Sequence, residues 1–142
     1  MDVITCTAKE LTDYFLPLAS PTRPLLIVGR PGMGKSDIVR NWTLSRDMMC
    51  AIMHPAISSP TDFKGLPARL DADMAAFLPY GDLLTLIQAD RPMVCLIDDV
   101  IQATPAVQAA IMQLVQARRI GEHAVSDHVT FILASNSRED RA

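Results

Sequence analysis

The segment from Pro24 to Ser36 constrains this chain more than any other. The apolar run Leu25 to Val28 leads into Gly29, two further glycines follow at Gly32 and Gly34, and Lys35 and Ser36 open a helical pattern. Gly29, Gly34, Lys35 and Ser36 complete the G-x-x-x-x-G-K-[ST] spacing in the strand-to-helix setting that gives the spacing its meaning. Any fold that accommodates it must place an apolar strand, a tight turn and a helix N-terminus in succession. The chemistry follows from the same residues. The stretch Gly29, Arg30, Pro31, Gly32, Met33, Gly34, Lys35 and Ser36 is expected to wrap a phosphate chain. Backbone amides and the helix N-terminus aim donors at the phosphates, Lys35 supplies a point charge at the β/γ-phosphates, and the Ser36 hydroxyl suits Mg²⁺. Binding of a nucleoside triphosphate is the expectation on which the rest of the reading depends.

A chain of 142 residues, 49% of them hydrophobic, supplies a core for one domain and is short for two. Its net charge of −3 offers no basic stripe for nucleic acid, so protein partners are expected instead. Cys6, Cys50 and Cys95 are odd in number and widely spaced, and two of them sit within apolar runs. Reduced thiols in a reducing cytoplasm are expected rather than a disulfide framework or a metal site. The N-terminus lacks the basic start of a signal peptide, and no apolar run approaches the roughly 18 residues of a membrane span. A soluble, cytoplasmic protein is the expectation.

Along the chain, Thr7 and Glu10 have capping-box spacing ahead of Leu11, Phe15 and Leu18, until Pro21 and Pro24 end the helical pattern. That short helix is read as a lid over one sheet edge or, alternatively, Val3 and Ile4 just before it help form an adenine pocket. Ile38, Val39 and Trp42 form the apolar stripe of a helix ending near Ser45 to Asp47, and Met48 to Met53 reads as a second buried strand. His54 follows that strand, as a surface-loop residue or as a ligand contact. Turn chemistry dominates from Ser58 to Tyr80, with a small hairpin expected between Arg69 and Leu78, and Asp82 is read as the cap of a helix carrying Leu83, Leu84, Leu86 and Ile87.

Met93 to Ile97 is a continuous apolar run ending in Asp98 and Asp99, the pattern of a central parallel strand whose C-terminal end meets a ligand. Asp98 is placed to hold Mg²⁺, and Asp99 to take a proton from an attacking water. Thr104 and Pro105 start the best-defined helix, with Val107, Ile111, Leu114 and Val115 on one face and Arg118, Arg119 and Gly121 closing it. Those arginines either complement the helix C-terminus or reach a neighbouring subunit's nucleotide. Val129 to Ser135 is the fourth strand, and Asn136 stands at its end with an amide suited to orienting water.

This set resembles the AAA+ ATPases from about Leu25 onward, and their MoxR-like branch in particular. Gly29 to Ser36 looks like Walker A, Leu96 to Asp99 like Walker B, and Asn136 like sensor 1. Pro60 to Gly65 and Pro105 to Glu122 look like branch-specific segments. The resemblance implies a three-layer α/β P-loop fold with a mostly parallel sheet, in which the Asn136 strand lies between the phosphate-loop strand and the Asp98 strand. It also implies Mg-ATP as ligand and a homo-oligomeric ring, usually a hexamer. Lys35, Asp99 and Asn136 would be its catalytic residues, with Ser36 and Asp98 at the metal. Partner proteins remodelled by such rings often bear von Willebrand A domains.

Two departures stand out. The family's Walker B usually ends Asp-Glu, whereas this one ends Asp98-Asp99. The arginine finger, fifth strand and helical lid that follow sensor 1 in the family have no counterpart after Asn136, so residues 1–142 are expected to be the front part of an AAA+ module. Two other readings remain beside the ATPase: a scaffold that holds nucleotide without turning it over, and a small P-loop kinase.

Overall fold

The computed structural model describes residues 4–137. Thr7 and Glu10 cap α1 (Ala8–Glu10) reciprocally, each side-chain oxygen accepting the other residue's backbone N–H at 3.2 Å. The helical path then widens into a π turn over Leu11–Phe15 and tightens into a 3-10 turn over Leu16–Leu18, burying Leu11 and Leu16. β1 (Leu25–Gly29) and α2 (Lys35–Ser45) flank the glycine-rich turn. β2 (Met49–Met53), α3 (Thr61–Lys64), and the hairpin β3 (Leu66–Arg69) and β4 (Ala75–Leu78) come next. After α4 (Asp82–Gln88) and β5 (Met93–Ile97), α5 (Pro105–Ala117) leads to a second small hairpin, β6 (Arg119–Ile120) and β7 (His123–Ala124), and to β8 (Val129–Asn136). Among the described residues no helix is long and apolar enough to cross a membrane.

β1, β8, β5 and β2 form one all-parallel sheet in that order. The Asn136 strand therefore separates the phosphate-loop strand from the Asp98 strand, as the AAA+ resemblance implies. A kinase-like order would have paired those two strands directly. Alternate residues of the central strands feed two cores. Met93, Cys95, Ile97, Phe131 and Leu133 pack with Ile111 and Leu114 of α5, Leu83 and Leu86 of α4, and Phe63 of α3. Val94, Leu96, Ile132 and Ala134 pack with Val39 and Trp42 of α2 and with Leu11 and Leu16. A parallel sheet covered on both faces must be apolar at every position, because side chains of alternate residues point to opposite faces. All five residues of β5 are indeed buried. Burial also pushes the Cys95 thiol far above its usual range and the Cys50 thiol up, and all three cysteines are free.

The register delivers the site. Gly29 lies beside Asn136 and Ile97 beside Leu133, while Asp98, one step past β5, donates its N–H to the Met53 carbonyl at 3.0 Å. The C-terminal ends of three neighbouring strands thus meet along one edge of the sheet.

One local expectation gives way. The cap position of α4 is held by Gly81, with φ of 55° and no side-chain bond, and Asp82 is the first helical residue instead. That backbone conformation favours glycine, and the helix starts without a side-chain cap. Arg118 and Arg119 close α5 at the end remote from this chain's own ligand edge. α5 starts at that edge and runs back across the sheet, so Arg118 caps its far end in a left-handed conformation. The Arg118 guanidinium donates to the carbonyls of Ser126 and Val129, both at 2.9 Å, and lies 5.5 Å from the centre of the Phe131 ring. Those acceptors mark the entry of β8. Asn136 is at the exit, roughly 23 Å away at about 3.3 Å per residue.

Candidate nucleotide site

Between β1 and α2 the chain turns through two glycines with φ of +78°, Gly32 and Gly34. Side chains rarely adopt that conformation, and a Cβ at either position would meet nothing within 4 Å, so the glycines serve the backbone path while the space above the loop stays open. Gly34 is the N-cap of α2, which makes Lys35 the first residue of its first turn. The N–H groups of that turn have no intrahelical acceptor and face the loop's concavity with the positive end of the helix dipole. The cavity there measures about 280 Å³ and is lined by Pro31, Gly32, Gly34, Lys35, Ser36, Asp37, Asp98, Asp99 and Asn136.

The Lys35 ammonium has three donors, and all three are engaged. They reach the Gly29 carbonyl at 3.1 Å, the Arg30 carbonyl at 2.9 Å and Asn136 Oδ1 at 3.2 Å. The last contact joins residues 101 positions apart in sequence and ties the loop to the end of β8. Ser36 Oγ donates to Asp98 Oδ2 at 2.6 Å, tying α2 to the end of β5. A hydroxyl and a carboxylate oxygen are the donor set a hard divalent cation prefers. Among the described residues no cluster of three or more His, Cys, Asp and Glu surrounds this point, so a cation here would take its remaining oxygens from phosphate and water.

Asp99 has φ of 55° and ψ of 44°. Asp47 and Arg118 share the left-handed conformation, but both follow helices, where the chain commonly turns this way. Asp99 follows a strand, and its strained backbone sets the carboxylate on the cavity wall without a hydrogen bond to any other described side chain.

Of the sequence-selected residues, Pro31, Gly32, Gly34, Lys35, Ser36, Asp98, Asp99 and Asn136 line the cavity, while Gly29, Arg30 and Met33 shape it from outside. Met33 Sδ accepts the Arg30 N–H at 3.1 Å, and a Cβ on Gly29 would stand 3.2 Å from that sulfur. Sequence reasoning passed over Asp37, whose carboxylate pairs with Arg40 at 2.6 Å. Its position directly after Ser36, in the first helical turn, was the available signal. Ile4 is exposed and does not line the cavity, and Val3 lies outside the described residues. His54 lines a separate cavity of about 320 Å³ at the end of β2, with Asp62, Tyr80 and Asp82.

A parallel sheet layered between helices, with a glycine-rich turn opening a helix at one strand end and a carboxylate at another, defines a P-loop nucleotide-binding domain. The model of the AAA domain family, dynein-related subfamily, matches residues 24–141, and the chain belongs to that family. No curated protein matches it. Family membership makes this an ATP-binding domain of the ATPase class.

Proposed function

We propose that this chain is the nucleotide-handling part of a MoxR-like AAA+ ATPase that binds Mg-ATP and, within a homo-oligomeric ring of hexameric type, couples its hydrolysis to remodelling of a partner protein. The observation that carries the reading is the pair of ties at the strand ends, Lys35 to Asn136 and Ser36 to Asp98. Through them a phosphate chain seated on the loop is sensed by β8 and β5 together. The loop amides and Lys35 hold the phosphates, and Ser36 and Asp98 would hold Mg²⁺, which would supply positive charge against the charge developing on the phosphates. Asn136 orients a water molecule. As that water forms its bond to the γ-phosphorus and the bond to the departing diphosphate breaks, Asp99 takes the water's proton. The ring, a partner bearing a von Willebrand A domain and a cytoplasmic setting belong to the same proposal, together with the assignment of residues 1–142 to the front of an AAA+ module.

A second reading, a scaffold that holds ATP without turnover, draws on two features. Asp99 reaches one methylene less far than the glutamate usual at this place, and no arginine lines the cavity among the described residues. An arginine supplied by a neighbour is worth about 10³ to 10⁵ in rate in related phosphoryl transfers. The purified chain is therefore expected to bind ATP and to release phosphate very slowly, with Asp99→Glu faster than the parent and Asp99→Asn inactive. Brisk release that survives Asp99→Asn would overturn the assignment of Asp99. Equal, undetectable release by the parent and Asp99→Glu, with ATP bound by both, would favour the scaffold.

A further inference from the structure

A third cavity, of about 260 Å³, opens between α5 and the two small hairpins, away from the strand ends that form the nucleotide site. Phe63, Leu114 and Ile120, each about 1% exposed, form its floor, and Phe77 of β4 forms a wall. Backbone packing fixes that wall. Gly121, with φ of +59°, lets the Phe77 carbonyl oxygen come so close that a Cβ would stand 2.9 Å from it, and Gly65 admits the Leu78 carbonyl in the same way at 2.8 Å. The cavity is thus shaped before anything binds.

Its rim is cationic. Lys64 Nζ lies 5.3 Å from the centre of the Phe77 ring, and the Arg119 guanidinium donates at 2.7 Å to the Glu122 carbonyl. Neither has a carboxylate partner: among the described residues the ion pair is Arg40 with Asp37. No acidic residue lines this cavity, whereas the nucleotide cavity carries Asp37, Asp98 and Asp99, and the cavity beside His54 carries Asp62 and Asp82. On a chain of net charge −3, an apolar floor under two uncompensated cations is a local inversion of the surface. The apolar floor suits a large apolar side chain, and the two cations on the rim suit carboxylates beside it.

We propose that this cavity is an anchor site for a partner protein, taking one large apolar side chain flanked by acidic residues that pair with Lys64 and Arg119. The buried anchor supplies affinity and the charges supply selectivity, the usual division in protein interfaces.

The test is a titration of the ¹⁵N-labelled chain with three capped tripeptides, acetyl-Glu-Phe-Glu-amide, acetyl-Gln-Phe-Gln-amide and acetyl-Glu-Ala-Glu-amide, at low salt. The first should shift the amides of Lys64, Phe77 and Gly121 saturably. It should bind roughly threefold or more tightly than the second, as expected for two exposed ion pairs, and the third should give no saturable shift. The double variant Lys64→Gln, Arg119→Gln changes exposed side chains only. It should bind both Phe peptides equally and keep the parent's ATP affinity. Equal binding of the two Phe peptides by the parent would overturn the proposal, as would shifts confined to other surfaces. Shifts that grow with protein concentration alone would make the occupant a second copy and overturn it as well.

Discussion

β5 and the β3–β4 hairpin draw on similar side chains and reach opposite states. Every residue of β5 is buried, whereas Leu66, Phe77 and Leu78 of the hairpin remain 55%, 40% and 38% exposed. β5 has a parallel neighbour on each side and a layer of helices over each face, so its register is set by burial of all its side chains. The hairpin pairs only with itself, and it meets the body through Gly65 and Gly121, where carbonyl oxygens replace the missing Cβ atoms. The sheet therefore places the strand-end residues Asp98 and Asn136 rigidly, while the hairpin forms a wall held by a few close contacts.

Substitutions should separate the two regions in a graded way. Leu96→Ala, in the middle of β5, should cost about 2 to 5 kcal/mol in urea unfolding through lost burial and the cavity left behind. A cost under about 1 kcal/mol would show that the second core is looser than its burial implies. Gly65→Ala meets both a φ of +92° and the Leu78 carbonyl, and a global cost of about 1 to 3 kcal/mol is expected. Hydrogen exchange should quicken across residues 66–78 while ATP affinity is kept. Loss of ATP binding in that variant would join the hairpin to the nucleotide site and dissolve the contrast. Leu70→Ser, 55% exposed beyond β3, should stay within about 0.5 kcal/mol of the parent, and a larger change would reveal packing at the hairpin tip.

The same contrast governs what the sequence discloses. β5 announces itself as an unbroken apolar run and β8 as one broken only by Thr130 before its polar end, and the glycines before Lys35 name their chemistry by spacing alone. The inter-strand order follows only from resemblance, since apolar runs carry no label for their neighbours. The partners of Arg118, the carbonyls of Ser126 and Val129, were not legible because they come from the chain's later return to β8. Helix direction across the sheet, which sets the end on which it lies, is a tertiary fact. Gly81 was passed over in favour of Asp82 because a positive φ is not visible in residue type when a good capping residue stands next to it. The cation-rimmed cavity joins α3, β4, α5 and β6, elements brought together only by folding, and no local pattern marks it.

The central claim is that Lys35, held between the loop carbonyls and Asn136, is the cation of a nucleotide site. Calorimetry of ATP with Mg²⁺ on the parent chain and on Lys35→Ala tests it directly. A hydrogen bond to a charged group is worth about 1.5 to 3 kcal/mol, so the parent should bind and the variant should bind about tenfold to a hundredfold more weakly. Equal affinity in the two proteins would contradict the account.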